Sequence, residues 1–335
     1  MNYIGSKKKL SAFILECVRE VVGNDLTEMD FCDLFAGTGI VGRTFKPLVR
    51  SVTGNDTEYY SYVLNQNYIV NHKPLPRAEF LVAELNALPP QSGFIYQEYS
   101  QGGSGGRMYF SGDNGRKIDA VRTKIEEWHL THYIDDREYY FLLCSLLESA
   151  DAVANTASVY GAYLKKIKAS AANPLVIAPA YFTVNDHEHR VFSMDANELI
   201  ERIHGDILYL DPPYNTRQYG ANYHLLNTIA SYKPFSPKGK TGLPQYTKSL
   251  YCSRTQVAVA FEDLIRKAQF RYIFLSYNNE GLLSSDTIRT IMSRYGKYSL
   301  FSTDYQRFKA DSSTHRAHKA KATVEFLHVL IKPEA

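Results

Sequence analysis

Residues 29–56 carry the main structural signal of the chain, in the stretch MDFCDLFAGTGIVGRTFKPLVRSVTGND. A short buried strand is predicted over 29–34, and the glycine turn after it leads into a helix predicted over 40–46. A second strand is predicted over 50–54. A strand, a glycine turn, a helix and another strand within about 30 residues form a βαβ unit, which requires a parallel sheet.

This alternation stops after the first quarter of the chain and resumes near residue 191. The stretch in between contains prolines, a glycine-rich run at 102–106 and helical patterns at 118–128, 139–154 and 157–168. We therefore predict an α/β fold, a doubly wound and mostly parallel sheet with an inserted, mainly helical subdomain. The predicted catalytic domain comprises 1–72 and 186–335, and the predicted insertion is 73–185.

Composition excludes several classes of protein. The 335 residues contain 38 Lys and Arg against 35 Asp and Glu, so a nucleic-acid partner would have to be met by a local patch. No run approaches ~18 uninterrupted apolar residues and the N-terminus has no signal-peptide pattern, so we expect a cytoplasmic protein without a membrane span. The four cysteines form no CxxC pair and the histidines no metal-ligand pattern, so we predict no metal.

The glycine turn has three readings. Gly37–Gly42 fits GxGxxG after a strand, and Asp56 lies 19 residues beyond Gly37 at the end of the next strand, as in ribose-binding folds. A nicotinamide site would place pyrophosphate on the helix N-terminus. This arrangement would bring the pyrophosphate anion close to the carboxylate of Asp33, which has the same sign of charge. Asp33 suits a ligand with an ammonium or sulfonium group better, and S-adenosylmethionine has both. A turn used only for packing is the third reading.

A second motif follows the apolar strand predicted at 206–210. Asp211, Pro212, Pro213 and Tyr214 form a stiff turn at the carboxyl edge of the sheet. The acidic side chain and a backbone carbonyl can accept both hydrogens of an exocyclic amine, and the tyrosine ring can stack on a planar base. The alternative is a proline-stiffened loop with Tyr214 packed inward.

Together these motifs resemble a known family. YIGSK at residues 3–7, DLFAGTG at 33–39, Asn55-Asp56, Asp195-Ala196 and DPPY at 211–214 occur in the order used by Dam-like DNA adenine-N6 methyltransferases. The similarity extends along nearly the whole chain, although the inserted segment has only weak points of contact. It implies the fold of S-adenosylmethionine-dependent methyltransferases and an insertion that recognises the target sequence.

The resemblance also implies the roles of individual residues. Tyr3 and Lys7 would border the S-adenosylmethionine cofactor, and Asp56 would hold its ribose. Asp195 would bind its adenine amine. The target-adenine pocket would be formed by Asp211, Pro212 and Tyr214, with Asp211 also at the edge of the cofactor site. The residues expected to line the methionine portion are Asp33, Phe35, Gly37 and Gly39.

DNA contacts are expected at three places. A basic run at 307–321 includes Arg316 and Lys319. The insertion has a basic cluster whose members are Arg116, Lys117, Arg122, Lys124, Lys165, Lys166 and Lys168. Both have an ordinary solvated charge run as the alternative. The segment after the DPPY motif, with Arg217, Tyr223 and His224, is expected to cap an extruded base or to contact its strand.

We therefore predict transfer of a methyl group from S-adenosylmethionine to N6 of a flipped adenine in a specific double-stranded DNA sequence, by a monomer or weak dimer. A restriction–modification or epigenetic marking system is the expected setting, with a cognate restriction endonuclease as a potential partner, in a bacterial cytoplasm or encoded by a phage. Three alternatives stay open: an RNA- or protein-modifying methyltransferase, a nicotinamide oxidoreductase, and a non-catalytic nucleic-acid-binding module.

Overall fold

The computed structural model describes residues 7–157, 159–305 and 323–333. Within these residues the chain forms two compact units, each described here by itself. The sheet unit consists of residues 7–57, 185–218 and 248–333, and the helical unit of residues 58–184 and 219–247. The helical unit therefore starts before the predicted insertion, 73–185, and also takes in a segment that follows the DPPY motif.

The sheet unit contains a seven-stranded sheet in the order β3-β2-β1-β4-β5-β7-β6. Its neighbours are parallel except around β7, which runs antiparallel to both β5 and β6. This confirms the predicted α/β fold with a mostly parallel sheet. The strands are β1 (Asp30–Asp33), β2 (Ser51–Asn55), β3 (Arg190–Phe192), β4 (His204–Leu210), β5 (Gln269–Asn278), β6 (Lys297–Tyr305) and β7 (Thr323–Ile331).

Thirteen α-helices lie in the described part of the chain, and none of them is long and apolar enough to cross a membrane. They are α1 (Ser11–Val22), α2 (Ile40–Phe45), α3 (Tyr59–Asn65), α4 (Ala78–Ala87), α5 (Phe94–Tyr99), α6 (Gly112–Leu130), α7 (Asp136–Ala152), α8 (Ala169–Ala172), α9 (Ala196–Leu199), α10 (Tyr219–Asn222), α11 (His224–Ser231), α12 (Val257–Lys267) and α13 (Ser285–Met292).

Both faces of the sheet are covered, because alternate residues of a strand point to opposite sides. On one face, Phe31 of β1 stacks on Phe45 of α2 with ring centroids 4.1 Å apart. On the other face, Cys32 and Leu34 belong to an apolar cluster that includes residues of α9, α12 and α13. The sheet is therefore doubly wound, as predicted.

The helical unit has its own apolar core and several buried or partly buried charged side chains. Asp119 of α6 accepts hydrogen bonds from three backbone N–H groups at the start of α5, and Lys117 donates to three carbonyls at the end of α4. Arg122 donates to the carbonyls of Ile229 and Ala230 at the end of α11. These side chains satisfy helix ends that would otherwise leave polar backbone groups unpaired.

The prediction of a helix over 157–168 is wrong. The described residues there form a loop around the buried Asn155, whose side-chain amide donates to the carbonyls of Met108 and Leu164 and whose Oδ1 accepts from the backbone N–H of Lys168. A side chain that satisfies loop backbone competes with helix formation. Two helices, α4 and α5, were not predicted; both follow the proline-rich start of the predicted insertion.

Phe45→Ala should destabilise the sheet unit by about 3–4 kcal/mol, because it removes a fully buried ring that packs against Phe31. Chemical denaturation measures the change as a lower midpoint. Phe80→Ala is the matched control, since the Phe80 side chain is 54% exposed, and its midpoint should stay near the wild-type value. Equal shifts for both variants would contradict the assigned packing.

Candidate active site

The carboxyl ends of β1 and β4 lie side by side at one edge of the sheet. Asp33, the last residue of β1, is in register with Tyr209 of β4, and the backbone N–H of Leu34 donates to the Tyr209 carbonyl over 3.1 Å. Parallel strands end at the same edge, which is where open α/β sheets bind ligands. The glycine turn after β1 and the DPPY turn after β4 therefore begin next to each other.

Two carboxylates hold the glycine turn. Gly37 and Gly39 have φ values of +52° and +72°, which favour glycine because a side chain would be strained there. The N–H of Gly37 donates to Oδ2 of Asp56 over 2.9 Å, and the N–H of Gly42 donates to Oδ2 of Asp33 over 3.3 Å. Asp33 and Asp56 thus contact the same turn from the ends of two neighbouring strands.

Asn55 is an organising residue of this edge that the sequence analysis did not identify as part of the site. Its side-chain amide donates to the carbonyls of Leu34 and Met194, and its Oδ1 accepts from the N–H of Met194. It therefore ties the segments after β1 and β3 to the end of β2. The only sequence signal for it was its place beside Asp56.

Asp33 is a buried carboxyl group with an unused oxygen. It is 2% exposed, and among the residues the structure describes its Oδ1 has no hydrogen-bond partner. Burial, reinforced by the nearby carboxylate of Asp211, raises the pKa of Asp33 to about 8. A buried acceptor without a donor is suited to a cationic or hydrogen-bonding ligand.

Asp211 is held by two side chains. Nζ of Lys7 lies 2.9 Å from its Oδ1, and the hydroxyl of Tyr214 donates to the same oxygen over 2.7 Å. Lys7 is 3% exposed, so it is not an ordinary solvated lysine. Its Nζ also lies 5.0 Å from the centre of the Tyr214 ring. Burial raises the pKa of Tyr214 well above its usual range, which keeps the hydroxyl protonated as a donor.

Two acceptors of the DPPY turn stay open. Within the described residues, Oδ2 of Asp211 accepts no hydrogen bond, and no N–H or hydroxyl donates to the carbonyl of Pro212. The Asp211 side chain is 19% exposed, so this carboxylate is partly accessible. Tyr214 is partly buried, and its ring packs against Tyr277 with centroids 4.7 Å apart. The turn can thus offer two oxygens to an incoming amine.

The other predicted cofactor residues occupy neighbouring positions of the sheet unit. Asp195 is exposed and caps α9, where its Oδ1 accepts from the N–H groups of Asn197 and Glu198. Phe35 follows β1 and packs edge-on against Tyr251, with ring centroids 5.0 Å apart. The prediction for Tyr3 lies outside the described residues.

Three of the five predicted DNA-binding residues lie in the described part of the chain. Lys165, Lys166 and Arg217 are exposed, whereas Arg316 and Lys319 lie outside the described residues. Within the basic cluster of the insertion, the charges of Lys117 and Arg122 are used inside the helical unit, and Lys124 pairs with Glu127.

The expectation that Tyr223 and His224 contact the DNA strand is wrong. Both side chains are fully buried in the core of the helical unit, where Nε2 of His224 bonds to the Tyr160 carbonyl. Burial lowers the pKa of His224 to about 4, so the ring stays neutral at physiological pH. Within the described residues no group of His, Cys, Asp and Glu side chains could hold a metal ion.

Comparison with known proteins identifies related sequences along the chain. The model of the family described as D12 class N6 adenine-specific DNA methyltransferase matches residues 3–291. The type II methyltransferase M.NlaIII of Neisseria lactamica is 59% identical over 332 residues, which are 99% of each chain. M.CviAII of Paramecium bursaria Chlorella virus 1 is 39% identical over 93% of this chain and 94% of its own. M.FokI of Planomicrobium okeanokoites is 38% identical over 92% of this chain, which covers 50% of M.FokI.

Asp33→Asn should stabilise the ligand-free protein increasingly as the pH rises. With a folded-state pKa of about 8 against about 3.9 in an unfolded chain, the wild-type carboxyl supports folding fully below about pH 4 and loses that contribution as the pH rises through about 8. Melting temperatures measured from about pH 5 to pH 9 should therefore diverge in favour of Asn. Asp113→Asn, at a side chain that is 96% exposed, should follow wild type; parallel curves for Asp33→Asn would refute the assignment.

Proposed function

The chain belongs to the D12 class of N6 adenine-specific DNA methyltransferases, and from that membership we propose a division of roles among the residues at its sheet edge. The enzyme transfers a methyl group from S-adenosylmethionine to N6 of adenine in DNA. The family match favours this function over the alternatives that the sequence left open, which were an RNA- or protein-modifying methyltransferase, a nicotinamide oxidoreductase and a non-catalytic nucleic-acid-binding module.

The glycine turn and its carboxylates are the proposed cofactor site. The unused Oδ1 of Asp33 and the positive φ angles of Gly37 and Gly39 fit a cationic ligand that approaches the backbone closely. Asp33, Phe35, Gly37 and Gly39 would line the methionine portion of the cofactor, Asp56 would hold the ribose, and Asp195 the adenine amine. Tyr3 and Lys7 would border the site. When bound, the cofactor supplies an activated methyl group on a sulfonium.

The open pair of acceptors in the DPPY turn carries the catalytic proposal. Oδ2 of Asp211 and the carbonyl of Pro212 would each accept one hydrogen of the adenine amine. The N6 lone pair is delocalised into the ring, and two such hydrogen bonds favour its pyramidal, attacking form. Because the methyl group is already activated, the residues need to align the amine and stabilise charge more than to provide a strong base.

Lys7 and Tyr214 would prepare Asp211 for this task. Both bind Oδ1, so they fix the orientation of the carboxylate and leave Oδ2 toward the amine. The ammonium of Lys7 makes a charge-assisted contact with this carboxylate, which is stronger than a contact between neutral groups. The ring of Tyr214 would stack on the target base, which offsets part of the few kcal/mol that extrusion from the duplex costs.

The helical unit is the proposed reader of the DNA sequence. Lys165 and Lys166 are exposed on this unit, and Arg217 is exposed on the segment after the DPPY motif. Their charges suit phosphate contacts, which position a protein on DNA without specifying bases. We assign the same role to Arg316 and Lys319 from their charge and sequence context. The catalytic domain of this proposal keeps the predicted segments 1–72 and 186–335, and the insertion keeps 73–185, of which 73–184 belong to the helical unit.

The relatives support a proposal for the cellular setting. M.NlaIII, M.CviAII and M.FokI are named type II methyltransferases, a class that works in restriction–modification systems. We propose that this enzyme protects a specific double-stranded DNA sequence against a cognate restriction endonuclease. It would act in a bacterial cytoplasm and could be encoded by the bacterium or by a phage. We propose that it works as a monomer or weak dimer.

Asp211→Ala should lower kcat by more than about 10³-fold, because the amine loses an acceptor that aligns it, while cofactor affinity changes at most severalfold. Tyr214→Phe keeps the ring but removes one hydrogen bond to Asp211, so kcat should fall by about tenfold. Transfer of labelled methyl groups to an adenine-containing duplex measures both. Asp113→Ala is the surface control; retained activity in Asp211→Ala would remove this residue from its role.

Replacing Lys165 and Lys166 together by Gln should weaken duplex binding and reduce the slope of log affinity against log salt by up to about 1.8, because each phosphate contact contributes about 0.9. Fluorescence anisotropy with a labelled duplex at several salt concentrations measures the slope. Lys124→Gln is the matched control, since Lys124 pairs with Glu127. An unchanged slope in the double variant would place the DNA elsewhere.

A further inference from the structure

Glu325 is a buried acidic residue for which the sequence analysis assigned no role. It lies on β7 in register with Asn278, the last residue of β5. The side chain is 7% exposed, and Oε2 has no hydrogen-bond partner within residues 7–157, 159–305 and 323–333. Burial raises the pKa of Glu325 above its usual value. Such a group is costly to the fold and calls for a compensating ligand.

The surroundings of Glu325 are those of the catalytic turn. Its carboxylate interacts electrostatically with Lys7, Asp211, Tyr214 and Tyr209. Its partner in register, Asn278, is the last residue of β5, so Glu325 lies at the same edge of the sheet as the carboxyl end of β4. Glu325 and these four residues all belong to the sheet unit.

Four acidic side chains share this edge with Lys7. Asp33, Asp56, Asp211 and Glu325, which we call the acidic cluster, lie at the ends of their strands, and Lys7 contributes a positive charge that pairs with Asp211. Two oxygens of the cluster, Oδ1 of Asp33 and Oε2 of Glu325, are buried and without a hydrogen-bond donor in the described part of the chain. Both observations indicate a site completed by a positively charged ligand.

We propose that Glu325 is a specificity residue that makes the site prefer the cationic methyl donor over the uncharged product of the reaction. This inference rests on the cofactor site proposed above. In the reaction the carbon–sulfur bond would break as the carbon–nitrogen bond forms. Sulfur would keep the electron pair and become neutral, and N6 would pass its proton to Oδ2 of Asp211 and from there to water. The favourable interaction with Glu325 is therefore present before transfer and lost after it, which promotes exchange of product for donor.

Glu325→Gln separates this charge effect from packing, because the two side chains have nearly the same shape. Titration calorimetry on the full chain without DNA should show dissociation constants for S-adenosylmethionine, and for sinefungin, which carries an ammonium group in place of the sulfonium, raised about tenfold. The constant for S-adenosylhomocysteine should change less than twofold. Glu325→Asp keeps the charge and should retain most of the preference for the cationic ligands.

Equal weakening of all three ligands, or no change for any, would overturn the proposal and leave the cofactor site intact. Failure of the wild-type protein to bind S-adenosylmethionine would instead overturn the proposed cofactor site itself. Glu325→Met provides a second neutral variant: if Gln does not fold there, the ratio of the two cofactor affinities in the Met variant decides the question. Thermal melting of each variant establishes that it is folded before titration.

Discussion

The ion pair between Lys7 and Asp211 places a buried ammonium among carboxylates at the carboxyl edge of the sheet. Taking such groups out of water costs several kcal/mol for each ion, and the loss of one partner leaves an uncompensated buried charge. The arrangement is therefore weak evidence for stability. It is better explained as preparation for a ligand, because Asp33 and Glu325 each keep a buried oxygen without a donor in the described part of the chain.

Backbone pairing within the sheet and side-chain hydrogen bonds to the loops hold this edge in place. Strands β1, β2 and β4 are parallel neighbours, so their carboxyl ends meet, and Asn55 ties the segments after β1 and β3 to the end of β2. The glycine turn is fixed by Asp56 and Asp33 through two of its own N–H groups. Catalysis by alignment needs rigid support of this kind more than it needs an unusual base.

Charged residues were the least predictable part of the molecule. Lys117 and Arg122 belong to a basic cluster that suggested phosphate contacts, yet both side chains cap helix ends inside the helical unit. Tyr223 and His224 follow the DPPY motif closely in sequence but lie in the core of that unit. The sequence shows that these side chains are charged or aromatic. It does not show which groups they contact, because those groups belong to segments that are distant in sequence.

The sequence alone determined the βαβ unit, the glycine turn and the acidic, proline-stiffened turn after β4, because strand periodicity, glycine φ preferences and proline geometry are local properties. It also identified Asp33, Asp56 and Asp211 as acids at strand ends. Only the tertiary structure decided which charges meet: Lys7 with Asp211, and Glu325 with both. These pairs join segments more than 100 residues apart. The strength of a buried charge depends on that assembled environment, which no local pattern encodes.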